Sequence, residues 1–477
     1  MQLSSQAAAP VVATQAGKVS GISTDGVDSW LGVPYGAAGG ELGPFAEVGP
    51  VQPWNDTLDC ARVPAVFVQP QSRLASIMGP AIDAYPQSEH AFTVNVFAPR
   101  GAHNLPVLVF VHGGGFSSGG GTRWYDGGTL ARNGQVVVVT VNYRLGIWGN
   151  LCAAGAPANN AVRDVLAALR WIAANIGGFG GDPARVTLSG QSAGAALTRM
   201  LTLCDESRGL FQRAILMSCP GRISATRAEI GEATQQVMNR LGAADLAALA
   251  QAPSTAVLGA VLAVTREFAA HGSITPLFRP YADGALLHDW MDEPETSAAH
   301  AHCREVLVGF TRDENTSFHW QQADALERAP DQVFALYRRL HGDAAPARYL
   351  EAASRRARAT PYTQWIDATS AEAFGLPALS LASEYGKAGR AFAYRFDMQT
   401  RQPHLYAPHC LDLPFFFDNL ADWFDAPMLA HFDADELQPL ATRFSTAIVN
   451  FARDGDPGID GWPAFSDATP FVMPFDR

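Results

Sequence analysis

Long apolar runs and closely spaced cysteines are both missing from this 477-residue sequence. No stretch of about 18 consecutive apolar residues occurs, so the sequence predicts no transmembrane helix. The six cysteines lie far apart and form no Cys-x-x-Cys pair, which is typical of a reducing compartment or of buried free thiols. The N-terminus lacks a cationic segment followed by an apolar core, so no signal peptide is predicted. A cytoplasmic location is expected, and a processed secreted or periplasmic form stays open.

Positive charge is also scarce. The sequence has 34 Lys and Arg against 46 Asp and Glu, which gives a formal net charge of -12. Binding to nucleic acid needs clustered Lys and Arg against the phosphates, so this balance argues against a nucleic-acid partner. A content of 48% hydrophobic and 17% charged residues is typical of a globular protein. We find no repeats, low-complexity tracts or linkers, and we expect residues 1–477 to form a single domain.

Strands and helices alternate along the chain. Apolar runs predict buried strands, and apolar side chains at helical spacing over 159–176 predict a helix. The principal predicted strands are 105–111, 136–141, 186–188, 213–218, 305–310 and 391–396. This alternation predicts an α/β fold with a mostly parallel central sheet flanked by helices. Two helix-rich blocks, at about 222–300 and 320–388, are interpreted as insertions that cap the active site of the one domain.

A serine stands at a sharp turn directly after one of these strands. The strand ends near residue 188, a helix of small residues begins at Ala193, and Gly190-Gln-Ser-Ala-Gly194 lies between them. A Gly-x-Ser-x-Gly turn between strand and helix is typical of a serine nucleophile. Gly190 and Gly194 omit side chains where strand and helix crowd each other. The helix also directs the positive end of its dipole at Ser192.

A serine nucleophile needs a base, and the base needs an acid to orient it. In this type of fold the three follow one another as Ser, then Asp or Glu, then His, with the acid just past a strand. Glu314 follows strand 305–310 and is the candidate acid, although Asp313 is a rival that the pattern leaves open. His409, in the loop after strand 391–396, is the candidate base.

The glycine run that follows strand 105–111 offers unobstructed backbone. The N–H groups of Gly113 to Gly115, together with that of Ala193, could bind an oxyanion. His112 stands beside this run and is expected to support the loop rather than to act as a base. No Gly-Lys-Ser/Thr follows the glycines, which argues against a phosphate-binding loop.

A possible metal cluster lies at His300, His302 and Cys303. Zinc sites usually combine two separated pairs of ligands, and no second pair is evident. No metal and no organic cofactor are therefore predicted.

Further motifs extend over nearly the whole chain. They are Lys18-Val-Ser-Gly-Ile22, Ser88-Glu89, Val94-Asn-Val96, His112-Gly-Gly-Gly-Phe116, Asn142-Tyr-Arg-Leu-Gly146, Asn159, Asp164, Phe179-Gly-Gly-Asp-Pro183, Gly190-Gln-Ser-Ala-Gly194, Arg213-Ala-Ile215, Ser218, Asp283-Gly284, Asp313-Glu314 and Ala407-Pro-His-Cys-Leu-Asp-Leu-Pro-Phe415. In these segments the sequence resembles the type-B carboxylesterase/lipase family, closest in style to bacterial p-nitrobenzyl-esterase-like carboxylesterases.

The resemblance implies an α/β-hydrolase fold and a serine carboxylesterase that hydrolyses small-molecule carboxylic esters. It implies Ser192 as nucleophile, His409 as base and Glu314, in preference to Asp313, as acid. It also implies that Ser218 forms a hydrogen bond near the acid. The implied oxyanion hole consists of Gly114, Gly115 and Ala193. A monomer without cofactor is the expected form.

The sequence departs from the family pattern before the nucleophile and at a disulfide. Gln191 stands where the family usually has a glutamate, so we expect little preference for cationic, choline-like esters. Phe67 and Ala91 stand where the family has its first disulfide, which favours a bacterial enzyme of intracellular type.

Two other classes of function stay open. An inactive binding relative would share the fold, although the intact Ser, Glu and His segments argue against it. An acyltransferase would share the acyl-enzyme and differ only in its acceptor. A haloalkane dehalogenase is disfavoured because it would need a carboxylate at position 192.

Overall fold

The computed structural model describes residues 9–268, 275–354, 356 and 358–477. The strands in this part of the chain are β1 (Val11–Ala13), β2 (Lys18–Ser20), β3 (Ile22–Thr24), β4 (Val27–Pro34), β5 (Leu58–Asp59), β6 (Val66–Phe67), β7 (Gln87–Ser88), β8 (Thr93–Pro99), β9 (Leu105–Val111), β10 (Val137–Val141), β11 (Gly181–Gln191), β12 (Arg213–Met217), β13 (Glu305–Thr311), β14 (Arg390–Phe396) and β15 (Met473–Phe475). The α-helices are α1 (Ala75–Met78), α2 (Gly128–Gly134), α3 (Gly146–Asn150), α4 (Asn160–Asn175), α5 (Ala193–Leu203), α6 (Arg227–Leu241), α7 (Leu246–Ala250), α8 (Ser254–Phe268), α9 (Pro294–His300), α10 (Thr316–His319), α11 (Ala323–Leu326), α12 (Pro330–His341), α13 (Ala345–Ser354), α14 (Pro361–Ser370), α15 (Leu376–Ala388), α16 (Leu413–Phe416) and α17 (Ala434–Asp454).

The largest sheet of the described residues has ten strands, in the order β15-β14-β13-β12-β11-β9-β10-β8-β4-β3. Neighbouring strands run parallel from β15 to β10. Antiparallel pairs join β10 to β8, β8 to β4 and β4 to β3 at the other edge. The predicted mostly parallel sheet is confirmed, and each predicted strand quoted above lies in it with its ends shifted by a few residues at most, except that β11 extends well beyond 186–188 on both sides.

Helices cover both faces of this sheet. Along β9, Val107 and Val109 face one hydrophobic core, while Leu108 and Phe110 face the other. Helices α4 and α5 pack on the first face, and α17 packs on the second. Burying one such side chain stabilises the fold by about 1.5–3 kcal/mol. This two-sided burial explains why the strands are apolar at every position rather than at alternate ones.

The helices of the two helix-rich blocks pack in different ways. In the first block, α6 and α8 pack against each other, and their apolar side chains share a cluster with residues from outside the block, such as Phe45 and Trp148. In the second block, α12, α13 and α14 form a small cluster among themselves. The last helix of the second block, α15, packs directly on β13 and β14. The single domain over residues 1–477 stays a prediction.

The chain's six cysteines all fall within the described residues. Each is a buried free thiol, namely Cys60, Cys152, Cys204, Cys219, Cys303 and Cys410. Among the described helices, none combines the length and apolarity needed to cross a membrane.

Candidate active site

Ser192 occupies the turn between β11 and α5. Its backbone has φ 57° and ψ -120°. L-residues rarely adopt this conformation, and such backbone strain occurs mainly at functional sites. The flanking glycines are required by close packing. A Cβ on Gly190 would lie 2.3 Å from the carbonyl oxygen of Gly194, and one on Gly194 would lie 2.0 Å from that of Val111. The crowding predicted for Gly190 and Gly194 is therefore confirmed.

The carboxylate of Glu314 contacts the imidazole of His409. Glu314 Oε2 pairs with His409 Nδ1, and both side chains are buried. Two donors hold the other oxygen, since Ser218 Oγ lies 2.7 Å and Thr311 N lies 2.8 Å from Glu314 Oε1. Glu314 follows β13 and His409 lies in the loop after β14. Adjacent parallel strands end at the same edge of the sheet, which brings the two side chains together.

Asp313 has a different environment. Its carboxylate forms an ion pair with Arg356 and accepts a hydrogen bond of 3.2 Å from the backbone N–H of Ala407. Burial raises the pKa of Asp313, and Arg356 lowers it, with a net rise. The structure thus places Glu314, and not Asp313, against the imidazole.

His409 Nε2 faces Gln191 rather than Ser192. Gln191 Nε2 lies 3.0 Å from His409 Nε2. In the neutral imidazole whose Nδ1 donates to Glu314, Nε2 is the acceptor and the Gln191 amide donates. Among the described residues, Ser192 Oγ makes no hydrogen bond to His409. Ser192 and His409 nevertheless line the same cavity, and such contacts often tighten only when substrate binds.

The charge state of His409 is set by its surroundings. Burial disfavours the imidazolium, while Cys410 and Glu314 favour it, and the balance raises the pKa of His409 well above its ordinary value of 6.5. Burial also raises the pKa of the Cys410 thiol. The carboxylate in direct contact with the imidazole is that of Glu314.

The glycine loop after β9 lies over the serine turn. A Cβ on Gly113 would lie 3.2 Å from Ser192 Cβ. Gly114 and Gly115 line the cavity, and within the described part of the chain their N–H groups donate no hydrogen bond. Ala193 is the first residue of α5, so its N–H has no acceptor within the helix. These three N–H groups are thus available to an oxyanion.

His112 stabilises this loop. Its Nδ1 lies 2.8 Å from the carbonyl oxygen of Gly113, and its ring stacks on Tyr143 at 4.4 Å. Burial lowers the pKa of His112 to about 4. A neutral, fully buried imidazole bonded to the loop backbone supports the loop, as the sequence predicts.

The cavity above Ser192 has a volume of about 250 Å³. Two aromatic side chains that the sequence did not single out line it. The ring centroids of Phe374 and Phe318 lie 4.9 Å and 5.8 Å from that of His409. Neither residue belongs to a recognisable motif, and only the fold brings them to the imidazole.

The possible metal cluster has a structural explanation in part. His302 Nε2 lies 3.0 Å from the carbonyl oxygen of Leu201 and 3.1 Å from Ser207 Oγ. Across the ranges that the structure describes, no three His, Cys, Asp or Glu side chains gather as metal ligands would.

A serine at a strand-to-helix turn, with a carboxylate and a histidine after later parallel strands, defines an α/β-hydrolase. The comparisons with known proteins agree with this class. A model described as "Carboxylesterase family" matches residues 8–477. The chain belongs to the carboxylesterase family, and it is a carboxylic-ester hydrolase that acts on small-molecule esters through the serine chemistry of that family.

Relatives match along almost the whole chain. Para-nitrobenzyl esterase of Bacillus subtilis strain 168 is 33% identical over 473 residues, covering 96% of this chain and 93% of its own. Phenmedipham hydrolase of Pseudarthrobacter oxydans is 32% identical over 474 residues, covering 97% and 94%. The human cocaine esterase is 28% identical over 517 residues, covering 98% and 88%. The family therefore includes bacterial and mammalian enzymes.

Solved structures show the same fold. A PNB esterase structure superimposes with a TM-score of 0.83 at 31% identity, covering 98% of this chain and 95% of that one. A carboxylesterase of Geobacillus stearothermophilus gives a TM-score of 0.82 at 28% identity, covering 98% and 96%. The α/β-hydrolase fold implied by the sequence motifs is confirmed.

Proposed function

We propose that Ser192 is the nucleophile, His409 the general base and Glu314 the orienting acid of this esterase. One observation carries the proposal. His409, which pairs with the buried Glu314, lines the same cavity as the strained serine turn and the loop with unused N–H donors. An anionic acid, a base and a nucleophile at one cavity are the parts that acyl transfer needs.

In the first half of the reaction, substrate binding separates His409 Nε2 from the Gln191 amide. Ser192 Oγ then gives its proton to His409 Nε2 and attacks the ester carbonyl carbon. The carbonyl oxygen becomes an oxyanion held by the oxyanion hole of Gly114, Gly115 and Ala193. Loss of one such donor elsewhere lowers the rate by about 10²–10³.

In the second half, His409 returns the proton to the departing alcohol and the acyl group stays on Ser192. Water then loses a proton to His409 and attacks the acyl carbonyl. As the bond between the acyl carbon and Ser192 Oγ breaks, His409 returns the proton to Ser192 Oγ, which releases the acid and restores both residues. Glu314 holds His409 Nδ1 throughout and stabilises the imidazolium. Ser218 and the backbone N–H of Thr311 hold that carboxylate in place.

The two helical blocks are proposed to cap the site within a single domain. Arg222, Ile223 and Pro276 of the first block line the cavity, as do Glu372 and Phe374 of the second. These blocks therefore form walls of the substrate cavity and limit the size of the ester that it accepts. We further propose a monomer in the cytoplasm, a compartment that suits six free thiols.

Replacement of the serine tests the nucleophile. Ser192→Ala should lower kcat/KM for p-nitrophenyl butyrate by at least about 10⁴-fold, because no other group can form the acyl-enzyme. Thermal unfolding should stay near that of the wild type. An organophosphate should label Ser192 by mass spectrometry, and a label on any other residue would contradict the assignment.

Two adjacent carboxylates provide a matched pair for the acid. Glu314→Gln should lower kcat/KM by about 10³–10⁴-fold, because a neutral amide cannot stabilise the imidazolium. Asp313→Asn should keep most of the activity and lower the free energy of unfolding by about 1–3 kcal/mol, because Arg356 loses one partner. The reverse pattern would make Asp313 the acid.

A further inference from the structure

Three arginines line the active-site cavity of a strongly acidic protein. Arg73, Arg222 and Arg279 belong to its lining, and Glu372 is the only carboxylate among the described lining residues. The chain as a whole carries a net charge of -12. The sign of the charge at the cavity is thus opposite to that of the molecule.

The guanidinium of Arg73 lies beside the oxyanion loop. A Cβ on Gly115 would lie 2.8 Å from Arg73 Nη2, and Gly115 is one of the proposed oxyanion donors. The side chain reaches solvent in the cavity, yet surrounding protein atoms are dense enough that burial lowers its pKa. A positive charge therefore lies close to the proposed oxyanion hole, where the ester carbonyl binds.

Arg279 is held by hydrogen bonds, and Arg222 is more exposed. Arg279 donates to the carbonyl oxygen of Pro276 at 2.8 Å and to Glu229 at 3.3 Å, and its side chain is only 11% exposed. Arg222 also approaches Glu229, at 3.8 Å, but is 60% exposed. Glu229 does not line the cavity, so it positions these cations without placing its own charge inside.

The negative charges at the cavity are few. Glu372 lies 3.9 Å from Arg339. The residue before the nucleophile is the neutral Gln191, whose amide contacts His409. The cationic side chains of the lining thus outnumber the anionic ones, and cavities bounded by low-dielectric walls strengthen such local fields.

We propose that this enzyme prefers esters that carry a carboxylate within a few bonds of the scissile carbonyl. The guanidinium fork matches a carboxylate with two parallel hydrogen bonds, and this geometry favours arginine over lysine at such sites. The inference rests on the proposed function, since it concerns the same cavity. It assigns a substrate class to the site: half-esters of dicarboxylic acids, or esters of hydroxybenzoates.

The test compares esters that differ only in charge. 4-Nitrophenyl hemiglutarate and its methyl ester place a carboxylate or its neutral equivalent on the acyl side. 3-Carboxyphenyl butyrate and its methyl ester do so on the alcohol side. In at least one pair, the kcat/KM of the wild type for the anionic ester should be at least about tenfold higher than that for its neutral methyl ester. This preference should fall as the salt concentration rises from about 20 mM to 500 mM.

Variants identify the cations. Arg73→Met and Arg222→Met should each lower the anionic-to-neutral ratio several-fold. Arg170→Met, an exposed arginine beside a different cavity, is the matched control and should leave the ratio unchanged. These substitutions lie outside the buried core, so folding should survive, and circular dichroism checks it.

The outcomes separate this inference from the proposed function. Hydrolysis of the neutral esters with no anionic preference in either pair would overturn the inference and leave the esterase mechanism standing. A preference that is independent of salt, or unchanged in both arginine variants, would also overturn it. If none of the four esters is hydrolysed, the result would instead count against the proposed function.

Discussion

At the scale of single residues, Gln191 is the side chain with the clearest untested consequence. In the neutral imidazole, the Gln191 amide donates to the lone pair of His409 Nε2 that must receive the serine proton. The neutral amide adds no charge of its own beside the imidazole. A carboxylate at the same position would favour the imidazolium by direct charge attraction.

Replacing this amide by a carboxylate should therefore move the pH profile. In Gln191→Glu the pKa of His409 rises, so the imidazole loses its proton at higher pH and the acid limb of kcat/KM shifts upward. The same variant should gain relative activity on choline esters, because a negative charge then stands beside the site. Gln191→Met is the neutral control. An acid limb at the same pH in Gln191→Glu would remove the idea.

At the scale of elements, the strand–turn–helix formed by β11 and α5 is held by backbone contact. The Cβ of any residue at position 194 would meet the carbonyl oxygen of Val111 on β9, and backbone cannot yield as a flexible side chain can. The spacing of strand and helix, and with it the position of Ser192, depends on this glycine.

Two glycine-to-alanine changes test this dependence. Gly194→Ala should lower the free energy of unfolding by more than about 3 kcal/mol and reduce activity strongly, because β9 and α5 must separate. Gly259→Ala, at an open position on the surface of α8, should raise stability by up to about 1 kcal/mol, because alanine favours helix. Urea unfolding and p-nitrophenyl butyrate hydrolysis measure both. Equal effects of the two changes would refute the packing explanation.

At the scale of the whole molecule, a buried carboxyl links stability to pH. Asp412 is fully buried behind the Glu314–His409 pair and accepts a hydrogen bond of 2.8 Å from Tyr394 Oη. Burial raises its pKa from 3.8 to about 7. Between these values the folded protein keeps a proton that the unfolded chain has released. The contribution of Asp412 to stability is therefore fully present below about pH 4 and is lost as pH rises toward about 7.

Asp412→Asn should flatten this decline. The contribution of one such group reaches at most about 1.4 kcal/mol per pH unit, and the variant lacks the titrating proton. The free energy of unfolding by urea, measured at pH 5 and pH 7, should differ less in the variant than in the wild type. The exposed Asp460→Asn is the control and should keep the full difference. If Asp412→Asn showed the same difference in unfolding free energy between pH 5 and pH 7 as the wild type, Asp412 would not be the titrating group.

Much of the fold could be predicted because local sequence patterns indicate its strands and helices. Two-sided apolar runs indicate covered parallel strands, and β9, β10, β12, β13 and β14 lie close to their predicted bounds. The alternation with helices then leaves few topologies. The sequence predicts less about how the helical blocks pack. Nothing local distinguishes α15, which packs on the sheet, from the helices before it, which pack among themselves.

The candidate site divides in the same way. The turn at Ser192, the glycine loop and the candidates at 313, 314 and 409 follow from motifs that each occupy a few consecutive residues, and the family resemblance favours Glu314 over Asp313. The contact of Gln191 with His409, the aromatic rings of Phe318 and Phe374, and the arginines at the cavity carry no local pattern. They come from segments far apart in the chain.

The sequence by itself determined the class of sheet, the family and the candidate catalytic residues, because strand periodicity and turn chemistry act over short stretches of chain. Only the tertiary structure decided which partner faces the base, which carboxylate pairs with Arg356, and what charge surrounds the ester. Those outcomes depend on distances and burial between remote segments, and the free energy of a charge or a hydrogen bond is set by what lies next to it in space.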